Sequence, residues 1–408
     1  MVNDIHMTNP KDKLWTQSFI SACIGNFLLF FAFYLLVPIF PLYLIEQFHT
    51  SKSMVGVILS SYTVAALLIR PFAGFVLDMV YRKPIYLVAY LLFVLTFVGY
   101  PLSHLIGLFL FFRILHGFTF GFVTTAGNSL IVDIMPSSRR GEGLGYFGVA
   151  NNLAMAIGPM TSLLMRDYYS FDVIFYTAIG SGLLGFLFAL TIKSKNMSDR
   201  TVKQPIAFDR FFLFKGLNAG WSLLLMGIPY GMVVTYIAIY GKELGIHSGV
   251  GIFFSLMSVG LIFSRLIGGK MVDRGQLVKV VSYGTFFCLL GFFALAALNK
   301  IEHYNSSMVV GLFYVIALVL GVGYGLIFPA YNTLFVNLAP NNRRATASST
   351  YMTSWDIGVG IGLVLGGRLA DARGGLPLAY LVGAFAVAFS LMFFMRVAGS
   401  HFERNKLR

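Results

Sequence analysis

Long apolar runs alternate with short polar breaks along this chain, the runs being centred near residues 30, 66, 94, 118, 153, 183, 226, 261, 288, 323, 356 and 387. A bilayer core about 30 Å thick needs roughly 20 apolar residues per helix. The pattern therefore predicts an all-α integral membrane protein with twelve spans. The first run, from about Leu14 to Ile45, is too long for a signal-peptide core and lacks a small-residue cleavage site. It reads as a retained first span. One connection differs from the rest: residues 193–205, K-S-K-N-M-S-D-R-T-V-K-Q-P, are polar and basic between spans six and seven. They predict a six-helix bundle over 1–192, a linker over 193–210 and a second bundle over 211–408.

The two parts repeat each other. Arg70, Gly74 and Asp78 fall four residues apart and are followed by Arg82 and Lys83; Arg265, Gly269 and Asp273 keep the spacing and are followed by Arg274. Each run that ends in such a trio starts at a matching glycine, Gly56 or Gly251. Further on, Gly117, Gly121, Pro136, Arg139, Arg140, Gly158 and Asp167 match Gly321, Gly325, Pro340, Arg343, Arg344, Gly362 and Asp371. Charges next to lipid are costly unless held, so two such sets in register point to duplication. Parallel six-helix pseudo-repeats with a site between them near the midplane are one transporter architecture.

Composition agrees. Charged residues are 11% of the 408 and apolar residues 57%, against about 25% charged in soluble domains. Lipid is the expected solvent. The net charge of +14 comes from basic residues scattered between apolar runs, which argues against a nucleic-acid partner. If the N-terminus is cytoplasmic, 21 of the 30 Lys and Arg fall in inner segments, six in outer ones and three (Arg70, Arg113 and Arg265) inside spans. The positive-inside rule then puts both termini in the cytoplasm. Cys23 and Cys288 lie in apolar runs and offer neither a disulfide framework nor a metal site. With no G-x-x-x-x-G-K-S/T, no H-E-x-x-H and no assembled catalytic cluster, ATP drive, enzymatic activity and a cofactor are not expected.

On these residues the chain resembles the major facilitator superfamily over essentially its whole length. The family's signature after span two is a glycine, an aspartate four residues on and a basic cluster, matched by Gly74, Asp78, Arg82 and Lys83, with Met79 and Tyr81 departing from the usual arginine and glycine. The resemblance implies a conformational latch of Arg70, Gly74, Asp78, Arg82, Lys83, Asp133, Arg265, Gly269, Asp273 and Arg274. Span four is similar to the family's arginine-centred motif through Arg113, His116 and Gly117, which implies proton coupling; a structural arginine bonded to neighbouring carbonyls is the alternative. Span five is similar to the antiporter signature through Gly145, Gly158 and Pro159, with Ala154 and Ser162 in place of two glycines. That resemblance implies export.

Asp356 is the acid expected deepest in the membrane. Eleven residues from Ala345 at ~1.5 Å each place it about 16 Å deep. It is a candidate proton carrier, the alternative being a fixed ion pair, with Arg113 as the expected partner. Polar groups within apolar runs, Asn26, Tyr34, Asn151, Asn152, Tyr230, Tyr236, Tyr331, Asn332 and Trp355, sketch a substrate cavity. The expectation is a monomeric, proton-coupled exporter of small organic molecules in a bacterial inner membrane. An importer of a sugar or small metabolite and a non-transporting membrane sensor are the rival readings.

Overall fold

The structure, a computed structural model, describes residues 13–79, 81–136, 139–193, 213–246, 249–302, 306–340 and 344–407. Residues 194–210 of the expected linker lie outside them. Every regular element among the described residues is helical. The first half holds α1 (Gln17–Leu36), α2 (Ile39–Phe48), α3 (Lys52–Met79), α4 (Arg82–Val98), α5 (Ile106–Ile134), α6 (Arg140–Tyr168) and α7 (Phe171–Leu190). The second holds α8 (Leu217–Glu243), α9 (Ile252–Asp273), α10 (Leu277–Glu302), α11 (Ser306–Leu338), α12 (Arg344–Asp371), α13 (Gly375–Phe393) and α14 (Gly399–Asn405). Each of the twelve predicted centres falls inside a separate long helix.

Local chemistry sets the breaks. Thr16 caps α1, its hydroxyl oxygen accepting from the Phe19 N–H at 3.2 Å. Pro38 has no N–H to continue that helix, so α1 and α2 meet at a kink within one 32-residue span, Gln17–Phe48. His49 ends α2 in the left-handed region at φ 53°. Among the described residues, nine helices are long and apolar enough to cross a membrane on length and composition alone. Of the others, α4 is only 17 residues long. Helices α6 and α12 fall short because amides, glycines and charges interrupt them.

Those two helices are central. In the first half α1 packs on α6 and α7, α3 on α5, and α4 on α5 and α7. In the second, α8 packs on α12 and α13, α9 on α11, and α10 on α11 and α13. The partners thus recur, span by span, six spans on. Between the halves, α3 packs on α12 and α6 on α9. Close approach at this seam requires missing side chains. A Cβ on Gly56 would strike the Leu363 carbonyl, and one on Gly251 would sit 3.1 Å from the Met160 carbonyl.

Candidate functional site: a central chamber and a sealed distal end

Arg70 of α3 donates from Nη1 to the Asp356 carboxylate of α12. This ion pair joins the two halves and sits part-buried. The expected partner, Arg113, is elsewhere: its guanidinium lies over the rings of Tyr62, at 4.4 Å, and Phe40, at 4.9 Å. Its Nε and Nη1 are buried without hydrogen bonds. The pairing expected from depth is therefore corrected. Helix rotation turns Asp356 toward α3, while α5 buries Arg113 among aromatic rings of the first half. Tyr62 stands between them, within electrostatic reach of Arg113, Arg70 and Asp356.

His116 is fully buried one turn along from Arg113. Its Nδ1 lies 2.7 Å from the Tyr100 hydroxyl, and Phe33, Phe93 and Phe97 surround the ring. Its Nε2 has no partner.

Arg265 of α9 is part-buried, with an unpaired Nε and three phenols, Tyr351, Tyr230 and Tyr34, within electrostatic reach. Beside it, Phe328 packs edge to face with Tyr230 and Trp355, and Trp355 lies tilted on Tyr230, its ring 4.8 Å from Tyr230 and 4.7 Å from Phe328. The Tyr230 hydroxyl reaches Met155 Sδ of α6 at 3.5 Å, spanning the seam. Gly158 lets α6 close on Tyr34, where a Cβ would be 2.7 Å from the tyrosine's own Cβ. Pro159 follows it inside α6, whereas Gly145 faces open space. Asn151 and Asn152 are part-buried on the same helix, Asn151 with an unpaired, buried Oδ1.

Three of the other polar groups expected in the cavity bond neighbouring helices, as a polar atom in an apolar run does when it faces one. Asn26 donates to the Phe147 carbonyl at 3.3 Å. Tyr236 is fully buried and donates to the Leu363 carbonyl at 2.7 Å. Tyr331 is fully buried with its hydroxyl 2.7 Å from Ser222 Oγ. Asn332 is exposed.

Of the expected latch, Arg82 pairs with Asp133 at 2.8 Å, both within the first half, and Lys83 donates to the Leu190 carbonyl at 3.3 Å. Arg70 pairs with Asp356 across the seam, and Arg265 lies among the phenols of Tyr351, Tyr230 and Tyr34. Arg274 is exposed and Gly269 open. The side chains of Asp78 and Asp273, and the surroundings of Gly74, lie outside what is described.

The end of the bundle remote from the termini is sealed by contacts that sequence reasoning did not anticipate. The Asp371 carboxylate, at the end of α12, accepts from the backbone N–H groups of Lys52 (3.1 Å) and Ser53 (2.7 Å) at the start of α3. Asp167, at the end of α6, accepts from the Gly249 N–H at 3.2 Å, just before α9. Glu46 bridges Arg166 at 2.6 Å and Lys242 at 3.0 Å, and Lys52 pairs with Glu243. A cavity of about 260 Å³ remains there, lined in part by Arg166, Asp167 and Lys242. The signal was present: Asp167 and Asp371 match in the repeat and lie at corresponding span ends.

The profile of the Major Facilitator Superfamily matches residues 22–363 and 305–404. The staphylopine export protein of Staphylococcus aureus (strain Mu50 / ATCC 700699) is 20% identical over 355 residues, 85% of this chain and 88% of that protein. The quinolone resistance protein NorA of S. aureus (strain MSSA476) is 23% identical over 361 residues, covering 88% and 91%. Among solved structures, a D-xylose–proton symporter superposes with a TM-score of 0.75 at 13% identity, covering 94% of this chain and 98% of that one. With twelve long helices among the described residues around a central seam, and a family match from residue 22 to residue 404, the chain belongs to the Major Facilitator Superfamily and is a multi-pass membrane transporter of small molecules rather than an enzyme.

Proposed function

We propose that the chain exports small organic molecules from bacterial cells in exchange for protons, as a monomer in the inner membrane with both termini cytoplasmic. The bundles 1–192 and 211–408 rock about the central chamber, joined by the linker 193–210. One observation carries the reading: the Arg70–Asp356 pair bridges α3 and α12 across the seam. A proton on Asp356 removes the charge that holds Arg70, so protonation and movement of the halves become one event. Tyr62 connects this pair to the buried Arg113 and His116, which tune it from the first half. The Arg82–Asp133 pair and Lys83 stiffen the end near the termini, with Gly74, Asp78, Gly269, Asp273 and Arg274 in the remaining latch positions. The direction is supported by the efflux relatives and by the Gly158–Pro159 pair inside α6.

The energetics are sufficient. One proton moving through 100 mV and one pH unit releases about 2.3 plus 1.4 kcal/mol. At about 1.4 kcal/mol per tenfold, that sustains a gradient of roughly 500-fold for a one-to-one exchange. The test is proton flux in proteoliposomes with an internal pH dye and a panel of drugs and metabolites. Wild type should release or take up protons when substrate moves, and Asp356→Asn should bind and exchange substrate without moving protons. Uphill transport intact in Asp356→Asn would end the proton assignment.

A further inference from the structure

Arg70 and Arg265 occupy matching positions in the two halves, 195 residues apart like Gly56 and Gly251. They are not matched in their partners. The shift of 204 residues that carries Gly158 to Gly362 and Asp167 to Asp371 also carries Asn152 to Asp356. Helix α6 packs on α9 as α12 packs on α3. Where α12 carries a carboxylate that meets Arg70, α6 carries an amide, Asn152, at the matching position. Among the described residues Arg265 makes no ion pair; Tyr351, Tyr230 and Tyr34 are the charged or titratable groups that act on it, and its Nε is buried and unpaired. Phenols solvate a guanidinium but do not neutralise it, and an uncompensated charge in a low-dielectric site is strongly unfavourable.

The geometry points to Arg265 as the anchor for a carboxylate carried by the transported molecule, which fills the counter-ion position that Asn152 leaves vacant. This rests on reading the central chamber as the transport route. The rest of the occupant is defined by its neighbours. The rings of Tyr230, Phe328 and Trp355 form an apolar, aromatic cluster beside Arg265, suited to a hydrophobic body. The substrate class is therefore a small organic acid with an aromatic or apolar body. A simple cation is disfavoured because the three charged groups, Arg70, Asp356 and Arg265, already leave an excess positive charge.

The experiment uses the purified full chain in nanodiscs and isothermal titration with naphthoate, its neutral isostere naphthamide, and naphthylmethylammonium. Naphthoate should bind wild type at least tenfold more tightly than naphthamide, with the ammonium compound weakest. The preference should fall to within twofold in Arg265→Gln, survive in Arg265→Lys, and disappear in Asn152→Asp, where the chain supplies its own carboxylate. Gel filtration identifies any variant that has lost its fold; the Lys and Asp variants keep the test decisive if Arg265→Gln is one of them. Equal binding of acid and amide to wild type, no binding of the acid, or a preference that survives Arg265→Gln each overturns the proposal. The transport reading fails separately. Naphthoate binding without proton flux in proteoliposomes removes proton-coupled export and leaves the anion site, whereas flux provoked by the cation and unchanged by Arg265→Gln removes the anion site alone.

Discussion

Replacing Asp371 by alanine should open the distal end of the transporter. Its carboxylate accepts two backbone N–H groups, at 2.7 and 3.1 Å, from the first turn of a helix in the opposite half. Hydrogen bonds to a charged group contribute about 1.5–3 kcal/mol each where shielded, and a carboxylate at a helix N-terminus adds ~0.3–1 kcal/mol. Asp371 is exposed, so solvent screening reduces the sum, and about 1–2 kcal/mol is the reasonable total. At about 1.4 kcal/mol per tenfold, the ratio of distally open to closed molecules rises roughly five- to thirtyfold. Double electron–electron resonance between spin labels at His49→Cys and Arg373→Cys reads this ratio, with Cys23 and Cys288 replaced to leave no other thiol. The long-distance component should grow in Asp371→Ala. An unchanged distance distribution would refute the argument that this cap holds the seam.

Two further outcomes follow from contacts already described. Gly56→Val should hold α3 and α12 apart, since its Cβ meets the Leu363 carbonyl; the same label pair should then report a longer mean distance, and an unaltered one would contradict the contact. Tyr100→Phe removes the partner of the buried His116 Nδ1, a loss of about 1–3 kcal/mol. It should lower the thermal unfolding midpoint in detergent, and an undiminished midpoint would show that the bond does not contribute to stability.

The spans were legible because crossing a bilayer demands a length and an apolar content that few other structures need. Even α6 and α12 were found, since polar connections bound each of them on both sides and left an interval of the right length despite the amides and charge inside. The repeat was legible through spacing. Partnership was not. Depth placed Asp356 level with the in-span arginines, but the choice between Arg70 and Arg113 is set by the rotation of α3, α5 and α12 about their axes, which depth does not encode. Tyr230 and Tyr236 look alike as hydroxyls in apolar runs, yet one faces the chamber and the other bonds the Leu363 carbonyl. The distal caps were hidden for a related reason: the repeat shows Asp167 and Asp371 at corresponding span ends, but the groups that donate to their carboxylates are backbone N–H groups, which leave no mark on residue type.

The polar character of α6 and α12 bears on how the protein is made. A helix carrying Arg140, Glu142, Arg166 and Asp167, or Arg344, Asp356, Arg368 and Asp371, enters lipid at a penalty that an apolar helix escapes. In both cases the order of synthesis offers relief. Helix α6 leaves the ribosome after α1, its partner in the first half, and α12 after both α8 and α3. Each reluctant segment therefore reaches the membrane when a protein surface is already there to receive it. Swapping the order of the two halves would strip α12 of that advantage with respect to α3, so the sequence of elements along the chain is itself part of what lets so polar a seam be built inside a bilayer.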